Sequence, residues 1–267
     1  MKSMTSVLWV LLLLTTFTAH SEERLRLATT TSTQNSGLMD VLNPIFEANY
    51  NVKVDIIAVG TGRALRLGQN GDVDAVLVHA PNAEIKFITE GYGVERLPVM
   101  HNDFVLLGPK TDVLKLKETE NILDALLRIA TSQSDFISRG DDSGTHKKEN
   151  VLWKASGVTP KGKWYISIGQ GMGAALTMAN EKLAYTLSDR GTFLAYKGNI
   201  DLVIVYEGDE QLYNPYHIIL VNPKRHPHVK TKLAQAYADF VRSEQGQKII
   251  RDFTIAGKQL FHPDVVQ

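Results

Sequence analysis

The stretch RLRLATTTSTQNSGLMDVLNPIF, residues 24–46, decides the fold class of this chain. Its first part, Arg24–Thr29, predicts a β-strand, and the apolar residues further on recur at the spacing of one helix face: Leu38, Leu42, Ile45 and Phe46. A run of hydroxyl residues stands between the two elements. A strand that passes directly into a helix is the repeating unit of α/β proteins, so this segment favours that class.

The same alternation of short apolar runs and helical patterns continues along the whole chain. Further helices are predicted at Arg63–Leu67, at Thr145–Lys154 and over the last forty residues. Further strands are predicted at Val52–Val59, Val73–His79, Asp103–Gly108, Phe136–Ser138, Tyr165–Ile168, Leu183–Leu187, Leu202–Tyr206 and Tyr216–Val221. The pattern predicts an α/β protein built on parallel sheets.

Two apolar segments bounded by proline could carry the chain between two lobes, Asn102–Pro109 and Asn214–Pro223. An equally ordinary interpretation is that both are sheet strands that end in turns. No repeat or low-complexity tract suggests another division of the chain.

Five consecutive hydroxyl residues, Thr29–Thr33, lie where the first predicted strand meets the first helix. Ligands of α/β sheets bind beyond the carboxyl ends of strands, and a helix N-terminus offers free N–H groups and a positive dipole end. Thr31-x-x-Gln34 also satisfies the capping-box pattern, which is the structural alternative. Because one cap needs one hydroxyl, the run favours contact with an anion.

Val59–Arg63, with the sequence VGTGR, repeats this arrangement after the second predicted strand. Glycine lets the backbone approach a ligand closely, and Thr61 supplies another hydroxyl at a helix start. A simple strand-to-helix turn would show the same residues. His79, at the end of the third predicted strand, is more typical of a solvated or structurally bonded histidine than of a ligand contact.

Ser138–His146 reads SRGDDSGTH and gives the second strong signal. An arginine follows the end of a strand, and glycine and hydroxyl residues lead into a helix. Arg139 beside amide and hydroxyl donors suits an oxyanion, because a guanidinium bonds two oxygens at once and stays charged. The alternative is a turn with a helix cap and an Arg–Asp pair on the surface.

A fourth junction, Gly169–Gly173 with the sequence GQGMG, offers N–H groups without side-chain obstruction, although three glycines also mark a tight turn. Two such junctions, rich in donors or in glycine, therefore lie in each half of the chain. Four helix N-termini that converge on one point would bind an anion without a metal.

Composition and motif spacing argue against several other classes of function. The 267 residues carry 29 basic and 29 acidic side chains, so the protein has no overall positive charge that would attract nucleic acid. The chain has no cysteine, so it has neither a disulfide nor a thiolate metal site. The sequence has no G-x-x-x-x-G-K-[ST] phosphate-binding loop, and its histidines lack zinc-type spacing. No metal or cofactor site is predicted.

A secreted hydrolase on a similar frame is the enzymatic alternative. It would use Ser143 or Ser32 as the nucleophile and His146 or His79 as the base, although the sequence shows neither a G-x-S-x-G nucleophile elbow nor a recognisable triad. A sensor that reports a bound anion to a signalling partner is a further alternative.

The N-terminus has the three-part layout of a secretory signal: Lys2, an apolar run over Val7–Phe17, and small residues at Ala19 and Ser21. The apolar run has about half of the roughly 20 residues that a membrane span needs. We expect a signal peptide over residues 1–21, cleaved before Glu22, and a mature protein in the periplasm.

Together these motifs resemble the tungstate-binding components of ABC transporters, a branch of the type II periplasmic binding proteins related to phosphate- and molybdate-binding proteins. The resemblance covers nearly the whole mature chain and rests on ATTTS at 28–32, VGTG at 59–62, RGDDSGTH at 139–146, GQGMG at 169–173, and NPY and VNP within 214–223. It implies two α/β lobes joined by two crossover strands, with the ligand cleft between them. The lobes would be residues 22–105 plus 217–267, and residues 106–216.

The resemblance also implies the ligand and its contacts. The ligand would be a tetrahedral oxyanion, with tungstate favoured and with molybdate or phosphate as alternatives. An ABC-transporter permease would be the partner, the protein would act as a monomer, and metal would be present solely within the anion. The contacts would be Thr30, Thr31, Ser32, Thr61, Arg139, Ser143 and Thr145, and the backbone of Gly173.

Asp141 bears on the choice of anion. Phosphate keeps a proton near neutral pH and favours an acidic acceptor, whereas tungstate, molybdate and sulfate need donors alone. We expect Asp141 to turn away from the ligand, either to cap the following helix or to pair with Arg139.

Overall fold

The computed structural model describes residues 22–255 and 257–265. The predicted signal peptide, residues 1–21, lies outside these ranges. No helix within them combines the length and the apolar character that crossing a bilayer requires.

The strands follow the predicted apolar runs. The bounds of β2 and β5 agree with the prediction at both ends, whereas β4 begins at Gly93 rather than at Asp103. In chain order they are β1 (Glu23–Thr30), β2 (Val52–Val59), β3 (Ala75–Val78), β4 (Gly93–Gly108), β5 (Phe136–Ser138), β6 (Tyr165–Ser167), β7 (Tyr185–Asp189), β8 (Val203–Tyr206), β9 (Tyr213–Val221), β10 (Thr254–Ile255), β11 (Lys258–Gln259) and β12 (His262–Pro263).

Helices occupy most of the connections between these strands. The first predicted helix is divided in two, because Gly37 adopts a left-handed conformation with a φ of 83°. The helices are α1 (Thr31–Asn35), α2 (Leu38–Tyr50), α3 (Thr61–Asn70), α4 (Pro81–Thr89), α5 (Ile122–Ser132), α6 (Gly144–Ala155), α7 (Met172–Lys182), α8 (Arg190–Tyr196), α9 (Thr231–Arg242) and α10 (Glu244–Asp252), with short 3₁₀ turns at Leu116–Glu118 and Glu210–Leu212.

The first half of the main sheet has the strand order β2-β1-β3-β9-β4. β1 is parallel to both β2 and β3, so the carboxyl ends of β1 and β2 lie side by side. β9 is antiparallel to β3 and to β4. The expectation of wholly parallel sheets is therefore wrong: the sheet is mixed, because β9 runs against its neighbours.

The second half of the sheet continues in the order β4-β7-β5-β6. β5 is parallel to both β6 and β7, and β4 is antiparallel to β7. β8 also pairs with β4 in the antiparallel sense. The carboxyl ends of β5 and β6, which lead into two of the predicted donor junctions, are thus neighbours as well.

β4 and β9 connect the two halves. Residues 93–103 of β4 pair with β9, and residues 104–107 pair with β7, so one continuous strand passes from the first half to the second. Asn102 lies opposite Asn214 in this register. The two segments predicted as crossings are therefore parts of neighbouring antiparallel strands.

Two buried apolar clusters lie each within one half, and a third contains residues of both halves. Phe104, Phe136 and Trp153 belong to a buried cluster in the second half. Val76 and Ile219 belong to a buried cluster in the first half. This packing fixes the strand ends from which the candidate site is built.

The C-terminal segment differs from its prediction. α10 ends at Asp252, and a hairpin of β10 and β11 and then β12 follow it. β12 pairs with β4 through His262 and His101, while Leu260 and Phe261 are buried. The prediction of a wholly helical C-terminus is wrong, because this segment is ordered by a distant strand that no local pattern encodes.

Candidate anion-binding site

The first strand-to-helix junction lies at the end of β1. Thr30 is the N-cap of α1, and its buried hydroxyl accepts a hydrogen bond from the N–H of Thr33 (3.2 Å). Ser32 Oγ is 3.1 Å from the same oxygen, while Thr31 is exposed. The capping-box interpretation at Thr31 is wrong, because β1 continues one residue further than predicted and the cap falls on Thr30.

The second junction leads from β2 into α3. Gly60 is the N-cap and has no side chain to satisfy the N–H groups of the first turn. Thr61 is fully buried, and its Oγ1 has no hydrogen-bond partner. A buried hydroxyl without a partner destabilises a protein by roughly 1–3 kcal/mol. Thr61 is therefore placed to donate to a ligand.

The third junction begins with Arg139, directly after β5. Its side chain is buried (4 % exposed), Nη2 donates to Asp141 Oδ2 (2.5 Å), and Nε has no partner. Asp141 Oδ1 also accepts a hydrogen bond from the N–H of Ser143 (3.2 Å). The expected pairing of Asp141 with Arg139 is confirmed, and the alternative of a surface ion pair is wrong because Arg139 is buried.

Ser143 and Thr145 stand at the start of α6, at the end of the same loop. Ser143 is the N-cap, and its Oγ accepts a hydrogen bond from the N–H of His146 (3.2 Å). A serine hydroxyl that accepts one bond still has a hydrogen to donate. Thr145 is buried, and its Oγ1 has no partner.

The fourth junction lies against the third. The N–H of Gln170 donates to the carbonyl of Arg139 (3.1 Å), which joins the two loops. Gly171 is the N-cap of α7, and Gly173 lies in its first turn. A Cβ at Gly173 would collide with the hydroxyl of Tyr196, so this position needs glycine for space.

The junctions of the two halves meet around His79. His79 Nε2 is 3.2 Å from Thr30 Oγ1. At the same edge of the ring, a Cβ built on Gly144 would lie 2.7 Å from His79 Cε1 and 3.1 Å from Thr61 Oγ1. The turn that carries Thr30 and the loop 139–145 are therefore neighbours, as the convergence hypothesis requires.

Unpartnered polar atoms concentrate at these junctions. Within the described ranges, seven buried side-chain nitrogen or oxygen atoms lack a hydrogen-bond partner. Most buried polar groups in proteins are paired, so such a concentration needs a cause. Six of the seven can donate a hydrogen bond, and three of these six lie at the junctions: Thr61 Oγ1, Arg139 Nε and Thr145 Oγ1. A ligand with several acceptor oxygens would satisfy them together.

Sequence reasoning missed the two asparagines that lie in hydrogen-bond contact with His79 and with each other. His79 is 3 % exposed, and its Nδ1 lies 2.9 Å from Asn214 Oδ1. Asn214 in turn donates to Asn102 Oδ1 (2.6 Å). Burial lowers the pKa of His79, which keeps the ring neutral. The interpretation of His79 as structurally bonded is confirmed, and the available signal was two asparagines inside apolar strands.

The serines of the hydrolase alternative are not arranged for catalysis. Ser143 Oγ accepts from the N–H of His146, whereas His146 Nδ1 accepts from the N–H of Asp142 (3.1 Å). Ser32 contacts Thr30. In the described part of the chain neither serine therefore has the histidine partner that activates a nucleophile, and no three His, Asp or Glu side chains are grouped to hold a metal.

The fold and the site define a class, the two-lobed binding proteins in which crossover strands join two α/β lobes and a ligand cleft lies between them. A family model described as a PBP superfamily domain matches residues 18–245.

Relatives and solved structures agree with this class. The chain is 50 % identical to a putative ABC transporter anion-binding protein of Haloferax volcanii, over 92 % of this chain and 73 % of that protein. It is 45 % identical to the tungstate-binding protein TupA of Peptoclostridium acidaminophilum, over 90 % of this chain and 86 % of that protein. The crystal structure of the tungstate ABC transporter from Geobacter sulfurreducens is 56 % identical, with a TM-score of 0.80 over 86 % of this chain and 99 % of that chain.

The chain therefore belongs to the PBP superfamily, and within it to the same family as these proteins. The expected fold class, a type II periplasmic binding protein, is confirmed.

A buried carboxylic acid lies behind the third junction. Glu149, on α6, is 2 % exposed, and its Oε1 accepts hydrogen bonds from Trp153 Nε1 (3.2 Å) and from the hydroxyl of Tyr165 (2.6 Å). Burial raises the pKa of Glu149 to about 7, although these hydrogen bonds favour the ionised form.

This raised pKa predicts a pH dependence of stability. Between pH 4.5 and about 7, Glu149 is protonated in the folded state and ionised in the unfolded state. The free energy of unfolding therefore falls as the pH rises through this range, and it is constant above it. Glu149→Gln keeps an acceptor oxygen and removes the ionisation. We expect the fall in unfolding free energy between pH 5 and 8 to be smaller in this variant by roughly 2–3 kcal/mol.

Urea unfolding at the two pH values measures this difference. Glu181→Gln, at an exposed position, is the matched control and should behave as the wild type. If Glu149→Gln shows the pH dependence of the wild type, the carboxyl does not hold a proton in the folded state.

Proposed function

We propose that the protein is an extracytoplasmic solute-binding protein that captures a tetrahedral oxyanion, tungstate, for uptake by an ABC transporter. One observation carries the proposal: buried donors from both halves of the sheet, Thr61 Oγ1, Arg139 Nε and Thr145 Oγ1, have no acceptor in the described protein. The names of the relatives, which include anion-binding and tungstate-binding proteins, support the same ligand class.

The anion would be bound mainly by neutral donors and by one arginine. Asp141 offsets the charge of Arg139, so the hydroxyls and the N–H groups at the helix starts supply the remaining stabilisation. Thr30 has its hydroxyl surrounded by protein partners and would orient the first turn. The proposed contacts remain Thr30, Thr31, Ser32, Thr61, Arg139, Ser143, Thr145 and the N–H of Gly173.

The donor set favours an anion without a proton. Both oxygens of Asp141 are engaged, one by Arg139 and the other by the N–H of Ser143. Because each oxygen already accepts a hydrogen bond, Asp141 is less available to the hydrogen of a protonated phosphate, whereas tungstate and molybdate need donors alone. Molybdate is the second candidate, because it matches tungstate in charge and nearly in size, and the names of relatives are what favour tungstate.

Transport requires the two lobes to close over the anion and to be recognised by a membrane permease. We place the lobes at residues 22–105 plus 217–267 and at 106–216, with β4 and β9 as the crossover strands. The two states would differ in their affinity for the anion, so that binding shifts the population towards the closed form. We propose a monomeric receptor, without enzymatic activity or cofactor, that reaches the periplasm through a cleaved signal peptide.

A panel of oxyanions tests the ligand class. At a free concentration 1,000-fold above the dissociation constant, a bound ligand stabilises the folded state by about 4 kcal/mol. For a chain of this size we expect tungstate and molybdate to raise the melting temperature by roughly 10 °C, and phosphate to have little effect. Thermal-shift measurement of the mature protein checks this.

Two results would contradict the proposal in different ways. If no oxyanion raises the melting temperature, the receptor function is wrong. If phosphate displaces tungstate at comparable concentration, the description of the site as one that offers hydrogen-bond donors alone is wrong.

The role of Arg139 predicts a large effect of its removal. Arg139→Ala deletes the charged donor of a desolvated pair and leaves the charge of Asp141 without its partner, so the binding free energy for tungstate should weaken by about 2–5 kcal/mol. Isothermal titration calorimetry measures the dissociation constant. Arg225→Ala, which removes an exposed arginine that stacks on Tyr92, is the matched control and should bind as the wild type. An unchanged constant in Arg139→Ala would place this side chain outside the site.

A further inference from the structure

His79 contacts two parts of the molecule that are distant in the sequence. It follows β3, its Nε2 lies 3.2 Å from Thr30 Oγ1, and its Nδ1 lies 2.9 Å from Asn214 Oδ1. Its ring stacks on Tyr216 with the centroids 4.5 Å apart. One buried side chain thus touches the first donor turn and the strand β9.

The partners of His79 belong to the region where β4 and β9 cross between the halves. Asn214 donates to Asn102 Oδ1 (2.6 Å), and the two residues lie opposite each other in the β4–β9 register. Asn214 Nδ2 is also 3.3 Å from the hydroxyl of Tyr216. A continuous polar network therefore joins Thr30 to both crossover strands through His79.

The start of α6, in the second half of the site, lies against the same histidine. Gly144, the first residue of α6, leaves so little room that a Cβ would lie 2.7 Å from His79 Cε1, 3.1 Å from His79 Nε2 and 3.1 Å from Thr61 Oγ1. Gly144 is not among the residues with positive φ. Its backbone therefore suits any residue, and the need for glycine comes from the space between α6 and His79.

We infer that His79 is the positioning residue that sets the distance between the two halves of the anion site, and that residue 144 must be glycine for the halves to close. This inference rests on the proposed function. His79 bonds to the crossover strands through Nδ1, and its Nε2–Cε1 edge faces both Thr30 and Gly144. A side chain at position 144 would hold Thr145 and the Arg139 loop away from Thr61, so the donors would no longer converge.

The test is a double-mutant cycle with tungstate as the ligand. Gly144→Ala should raise the dissociation constant about tenfold or more and should reduce the decrease in radius of gyration that tungstate causes in small-angle X-ray scattering. In a His79→Ala background the 2.7 Å obstruction is removed and the 3.1 Å approach to Thr61 Oγ1 remains, so the same glycine substitution should raise the constant much less, by about threefold or less. His79→Asn, which keeps a donor towards Asn214, replaces the alanine variant if that variant does not fold.

Gly198→Ala is the matched control, because a Cβ at Gly198 has no atom within 4 Å. Its dissociation constant should equal that of the wild type, and circular dichroism without ligand should show that all variants are folded. Equal effects of Gly144→Ala in both backgrounds, or no effect in either, would overturn the inference. A wild-type protein that does not bind tungstate would instead overturn the proposed function.

Discussion

The structure depends on one constraint: polar groups that are removed from water must find hydrogen-bond partners. In the described chain this rule is met nearly everywhere, yet donors on Thr61, Arg139 and Thr145 are buried without acceptors. They come from two halves of the sheet that share no local sequence, so their common location is not a by-product of one element. An oxyanion with acceptor oxygens on all sides would satisfy donors from both halves at once, and the proposed closure of the lobes would then accompany ligand binding.

The frame that brings these donors together is made by β4 and β9. β4 is 16 residues long and pairs with β9 in the first half of the sheet and with β7 in the second. Each half then presents the carboxyl ends of neighbouring parallel strands, where helices begin. This arrangement places several positive helix ends towards one region, and Asp141 keeps the guanidinium of Arg139 oriented.

Much of this arrangement could be predicted from the sequence because it is encoded locally. The strand Val52–Val59 and the glycine and hydroxyl residues that follow it are adjacent in the chain, and parallel pairing then makes their neighbours predictable. The antiparallel direction of β9 and the pairing of β12 with β4 depend on partners far away in the sequence. The local pattern of apolar residues therefore does not predict them. The His79–Asn214 contact joins residues 135 positions apart, and it escaped prediction for the same reason. The cap at Thr30 was missed because the end of a strand is poorly defined within a run of hydroxyl residues.

The most direct measurement is a crystal structure of the mature protein grown with tungstate, with tungsten located by its anomalous scattering. The account predicts one tungsten position whose oxygens lie within about 2.7–3.2 Å of Thr61 Oγ1, Arg139 Nε and Thr145 Oγ1. Tungsten bound elsewhere, or bound while these three atoms still lack partners, would contradict it.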